Sequence, residues 1–156
     1  GDLEGMDELL DEGLALGESY DAEGYTPIVL AWKAQYLSSQ GSVNLAYSLV
    51  REAEAEDGRP WQHQQVRCKL NIARAWKTLK ETRAAKEAAQ EALVISEGSG
   101  HRFYTMLSRQ LLGSLCREVS ERSRHLRIAG SLARSLSANL SSTDAESFMA
   151  RTGMPK

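Results

Sequence analysis

Residues 71–93 read NIARAWKTLKETRAAKEAAQEAL, and their pattern decides the fold. Ile72, Ala73, Trp76 and Leu79 fall on one helical face, and Ala85, Ala88, Ala89 and Ala92 fall on another after a break at Lys80–Thr82. Apolar residues three and four apart mark an amphipathic helix, whereas a half-buried strand would alternate. The stretch predicts a helix from about Trp61 to Leu79, a tight turn at Lys80–Thr82, and an alanine-rich partner from Arg83 to about Glu97. Gly98-Ser99-Gly100 closes the pair.

The same signal spreads in both directions. Lys33-Ala34-Gln35-Tyr36-Leu37, Ile72-Ala73-Arg74-Ala75-Trp76 and Leu112-Gly113-Ser114-Leu115-Cys116 superpose on Ala34, Ala73 and Gly113, which lie 39 and 40 residues apart. A small residue there lets two helices of a hairpin approach closely, and a larger one three positions later fills the gap. Ala46, Val50 and Ala53 repeat the register of Ala85, Ala89 and Ala92.

The remaining boundaries follow from caps and breaks. Leu3, Met6, Leu9, Leu10, Leu14 and Leu16 mark a first helix ending near Gly17. Thr26 is expected as an N-cap with Pro27 in the first turn, where its missing N–H costs nothing. That helix stops near Gly41, and Ser42 caps the next, which runs to the break at Asp57–Pro60. Further helices are expected from His101 to about Glu118 and from Glu121 to about Leu140. Thr143-Asp144-Ala145-Glu146 reads as a capping box opening a short helix with Phe148 and Met149. The expectation is an all-α chain of about seven helices plus a capping helix over 143–152. Hairpins span 27–57, 61–97 and 102–140, and 3–17 reads as the second helix of a truncated repeat in a segment of a larger protein. One hairpin cannot bury its apolar face alone, whereas stacked hairpins share a core.

The segment from Asn71 to Leu93, with Ile72, Ala73, Trp76, Ala85, Ala89, Ala92 and Leu93, resembles the tetratricopeptide repeat. The third hairpin keeps Leu112-Gly113 but carries His125 where that family uses alanine. The family's early tryptophan and closing proline are missing, and the period of about 40 exceeds its standard of about 34. The pattern is similar to the longer, degenerate repeats of large bacterial regulators. The resemblance implies a right-handed superhelical array of antiparallel hairpins, a TPR-like α-solenoid whose first helices line a concave groove. It also implies groove positions at Gln35, Ser38, Arg67, Arg74, Lys77, Gln110, Ser114 and Arg117.

Composition narrows the function classes. Over 156 residues, 42% hydrophobic and 26% charged residues suit a single globular domain or a short array, too short for two domains. No apolar run reaches the length of about 18 residues that a membrane span needs. Gly1-Asp2-Leu3-Glu4 lacks the basic and apolar regions of a signal peptide. Cys68 and Cys116 sit in apolar helical patterns, which suits buried, reduced thiols and a cytoplasmic setting. There is no phosphate loop, HExxH or CxxC motif. His63, His101 and His125 are far apart, none followed by a ligand at i+4, so no metal, cofactor or catalytic residue is expected and the chain reads as non-enzymatic.

Charge is the informative feature. Residues 1–60 hold 13 Asp/Glu against 3 Lys/Arg, and residues 61–156 hold 8 against 16. Arg67, Arg74 and Lys77 lie within about 80° of one helical wheel. Such a face suits carboxylates, to which arginine offers forked, charge-assisted hydrogen bonds, and it suits a solvated surface equally. The leading functional expectation is a scaffolding module that binds a protein or acidic peptide. A sensor segment of a transcriptional regulator or signalling ATPase or kinase is the alternative. Self-association of acidic and basic parts, and nucleic-acid binding through Arg117–Arg134, stand behind these, the latter opposed by a pI near 6.

Overall fold

The computed structural model describes residues 5–19, 25–56 and 62–152. Among these residues eight helices follow in order: α1 (Met6–Ser19), α2 (Thr26–Ser39), α3 (Val43–Ala55), α4 (Gln62–Thr78), α5 (Thr82–Gly98), α6 (Arg102–Leu115), α7 (Val119–Ser137) and α8 (Ser142–Thr152). No strand occurs among the described residues. Trp61 and the Asp57–Pro60 break lie outside them, as do residues 3 and 4.

The helices pack as successive hairpins, α2 on α3, α4 on α5 and α6 on α7. The first helices α2, α4 and α6 also touch in succession, and each second helix touches the next first helix, α3 on α4 and α5 on α6. Among the described residues the second helices have no backbone contact with one another. Helix α1 packs on α2 and α8 on α7, so every helix continues one row.

The small-residue register explains the close packing. Ala34, Ala73 and Gly113 are all buried, as are Ala46, Val50 and Ala53 and their counterparts Ala85, Ala89 and Ala92. At Gly113 a Cβ would stand 2.7 Å from Leu126 Cδ2 across the α6–α7 contact, so only glycine fits this approach without displacing Leu126. One core runs from Ile28 to Leu115 through α2–α6, and Trp76 is its largest fully buried side chain. Its ring stands edge-on to Tyr47 at 5.3 Å and under the Arg51 guanidinium at 4.8 Å, while Nε1 donates to Glu54 Oε1 at 2.7 Å. A smaller cluster of Met106, Ala129, Ala133 and Met149 joins the last hairpin to α8.

Three connections share one turn. The N–H groups of Ser42, Glu81 and His101 reach back five residues to the carbonyls of Leu37, Trp76 and Ser96, each at 2.9 Å. The residue before each donor, Gly41, Lys80 or Gly100, takes a positive φ of 85°, 64° or 71°. This is the Schellman closure of a helix, which favours glycine and is strained at Lys80.

The structure moves several expected caps. Tyr25, at φ −91° and ψ −35°, precedes α2 in helical geometry, so Thr26 already belongs to the first turn and does not cap it. Ser42 stands at the N-cap of α3 without a side-chain cap bond. The capping pair of α8 is Ser141 with Asp144: the Asp144 N–H donates to Ser141 Oγ at 3.2 Å, and that hydroxyl donates to the Asp144 carboxylate at 2.7 Å. Helix α6 ends at Leu115, three residues before the expected Glu118, because Cys116 and Glu118 turn to extended backbone.

Candidate functional site

Between α2, α4 and α6 lies a cleft of about 320 Å³, walled by Trp32, Arg67, Leu70, Asn71, Arg74, Phe103, Tyr104 and Leu107. Its floor is built on α4, where Arg67, Asn71 and Arg74 recur at four- and three-residue intervals and so share a face. Asn71, 5% exposed, organises them. Its Nδ2 donates to the Arg67 carbonyl at 2.9 Å, and its Oδ1 accepts from Arg74 Nη1 at 3.3 Å. Gln35 Nε2 donates to the Asn71 carbonyl at 3.4 Å, which fixes α2 against α4.

Among the described residues nothing compensates the charge in this cleft. Among the described residues no carboxylate lies within ion-pair reach of Arg67 or Arg74, although Lys33, Lys69, Lys86 and Arg109 all have one. Arg74 is half-buried, and that burial holds its guanidinium below its ordinary value. A desolvated cation whose partner is one neutral amide favours any anion that enters. Trp32 and Phe103 are each 44% exposed at its rim, and Phe103 stands 5.6 Å from Tyr104, ring centre to ring centre. Two cationic forks beside aromatic walls can grip a carboxylate attached to an apolar or aromatic group.

The eight residues expected along a groove separate into distinct roles. Arg67 and Arg74 line the cleft. Gln35 ties α2 to α4; Lys77 Nζ donates to Ser114 Oγ at 3.0 Å and ties α4 to α6. Gln110 donates to the Thr152 carbonyl and ties α6 to α8. Ser38 is half-buried one turn beyond Gln35. Arg117 is not with the others: it lines a separate cleft of about 480 Å³ with Thr82, Arg83, Lys86, Leu115, Glu118 and Glu121. The early end of α6 carries it there. The wheel of α4 did not reveal Trp32, Phe103 and Tyr104, whose sequence signal was aromatic residues near the N-terminal half of the first helices.

A second cluster was also missed. Cys116, Glu121 and His125 offer ligand atoms that all lie within 4.8 Å of one another. A scan for ligands four residues after each histidine overlooks Glu121, four residues before His125. Burial pushes the Cys116 thiol up and the His125 imidazole down, while Lys86 beside Glu121 lowers that carboxylate. Comparison with known proteins finds no match among family models, curated proteins or solved structures. No described helix is long and apolar enough to cross a membrane.

Proposed function

We propose that the chain is a non-catalytic interaction module, a TPR-like right-handed superhelical array whose concave basic groove binds a protein or acidic peptide. The observation that carries this reading is the pair of half-buried guanidinium groups, Arg67 and Arg74, facing an aromatic-walled cleft with no carboxylate partner among the described residues. A carboxylate on the partner would supply the missing counter-charge, and a neighbouring apolar side chain would cover Trp32 and Phe103. The order of helix contacts supports the repeat architecture, because each first helix meets the previous one and each second helix meets the next hairpin.

A regulatory sensor is the second reading, favoured by one feature. The cleft is walled by three successive first helices, so an occupant would bias how the hairpins sit on one another. Both readings place the ligand at the same residues. They are tested by capture from a lysate of the source organism, comparing wild type with a folded Arg67→Glu/Arg74→Glu variant. A partner held by wild type, lost by the variant and released as salt rises supports the module. Equal capture by both proteins removes the groove from the account. A saturable thermal shift with small carboxylates and no protein partner favours the sensor.

A further inference from the structure

The turn between α6 and α7 lacks the positive-φ closure of the other three connections. Cys116 is extended at φ −76° and ψ 129°, and Glu118 at φ −70° and ψ 127°. The carbonyl of Cys116 is held instead by the Arg122 guanidinium, at 3.1 Å from Nε and 2.9 Å from Nη2. This bracket keeps the Cys116 thiol at the base of α7, on the face that carries Glu121 in the first turn and His125 one turn later. The result is a thiol, a carboxylate and an imidazole with ligand atoms no more than 4.8 Å apart.

The histidine supplies an independent observation. His125 is 8% exposed, and its Nδ1 is buried with no hydrogen-bond partner. Its Nε2 stands 4.0 Å from Glu121 Oε1, beyond hydrogen-bond range. The imidazole thus makes no hydrogen bond to Glu121, and an ion on Nε2, the nitrogen beside that carboxylate, would engage the ring that burial otherwise leaves costly. Sulfur, nitrogen and oxygen donors in a group of three are the ligand types of zinc, which takes four donors and in open sites leaves one place for water or a ligand.

We propose that Cys116, Glu121 and His125 form a site for a zinc-class divalent ion, with its fourth position toward the cleft lined by Lys86, Arg117, Glu118 and Glu121. Binding exchanges the thiol proton of Cys116 for the metal and releases that proton to solvent. Lys86 Nζ, 3.0 and 3.1 Å from the two Glu121 oxygens, orients the carboxylate from α5. Arg109 from α6, Arg124 on α7 and Lys86 also act on His125 electrostatically, and Arg122 acts on Cys116. This positive surround opposes a cation, so the site is expected to bind less tightly than an all-cysteine one. The bound ion would clamp the end of α6 to the first two turns of α7.

The test is a cobalt(II) titration of the reduced, metal-free protein, with cobalt as the spectroscopic stand-in for zinc. Wild type and Cys68→Ser are expected to develop a thiolate-to-cobalt charge-transfer band saturating at one equivalent, bleached by added zinc. Cys116→Ser should lose the band, while Glu121→Gln and His125→Gln should keep it and bind at least about tenfold more weakly. Zinc should raise the unfolding midpoint of wild type and leave that of Cys116→Ser unchanged. No band at saturating cobalt, a band that survives in Cys116→Ser, or one that disappears in Cys68→Ser would overturn the assignment.

Discussion

Replacing Arg74 with methionine separates a binding residue from a structural one, because the two roles predict opposite signs. The half-buried Arg74 guanidinium is held below its ordinary value by burial, so the folded state disfavours its charged form relative to the unfolded chain. Arginine stays charged throughout the working range, so this penalty is present at neutral pH and does not change between mildly acidic and mildly alkaline solution. Full burial of an ion costs several kcal/mol, and the partial exposure of Arg74 reduces that to about 2 kcal/mol. Against it stands the hydrogen bond to Asn71 Oδ1, long at 3.3 Å, worth about 1 kcal/mol. Methionine keeps most of the aliphatic stem packing, and water in the open cleft can serve the Asn71 oxygen. The expected balance is a stabilisation of about 1 kcal/mol, or a rise of roughly 2–4 °C in Tm for a chain of this length. Urea denaturation reads it as a higher midpoint at unchanged m-value. A loss of about 1 kcal/mol or more would identify Arg74 as a structural tie and refute the argument that it awaits a ligand's charge.

Substitutions at two buried or strained positions, Lys80 and Trp76, test the fold that holds the cleft. Lys80→Gly relieves the strain of a non-glycine residue at φ 64° and should stabilise the chain by about 1 kcal/mol, read from chemical denaturation; no gain would mean that the turn does not take this conformation. Trp76→Ala should cost about 3–5 kcal/mol by emptying the centre of the core. Trp76→Phe should cost less, and a double-mutant cycle with Glu54→Ala, which removes the acceptor, should recover a coupling of about 1 kcal/mol from the indole–carboxylate bond. Zero coupling would remove that bond from the account of how α3 seats on α4.

Much of this architecture was legible in the sequence because the packing is local and periodic. The spacing of Ala34, Ala73 and Gly113 encodes close helix contacts directly, and the break read at Lys80–Thr82 overlaps the Leu79–Glu81 connection, with Thr82 already opening α5. The caps were less legible. Thr26 and the Thr143–Glu146 box have the right residue types, but neighbouring residues, Tyr25 and Ser141, take the terminal positions. Arg67 and Arg74 were visible because two charges seven apart share a helix face whatever surrounds them. Their aromatic neighbours come from α2 and α6, and one helix's wheel carries no information about which residues of another helix face it. For the same reason Lys77 and Ser114, read as two groove donors, turn out to bond to each other. Arg117 left the row because α6 ends at Leu115, a consequence of the extended Cys116 and Glu118 that no helix periodicity signals.

The most direct test of the groove is a selection of random peptides displayed with free C-termini, on wild type and on the folded Arg67→Glu/Arg74→Glu variant. The account predicts that wild type enriches sequences placing a carboxylate next to an aromatic or large apolar residue, and that the variant loses them. Enrichment of the same peptides by both proteins, or of basic peptides by wild type, would contradict it.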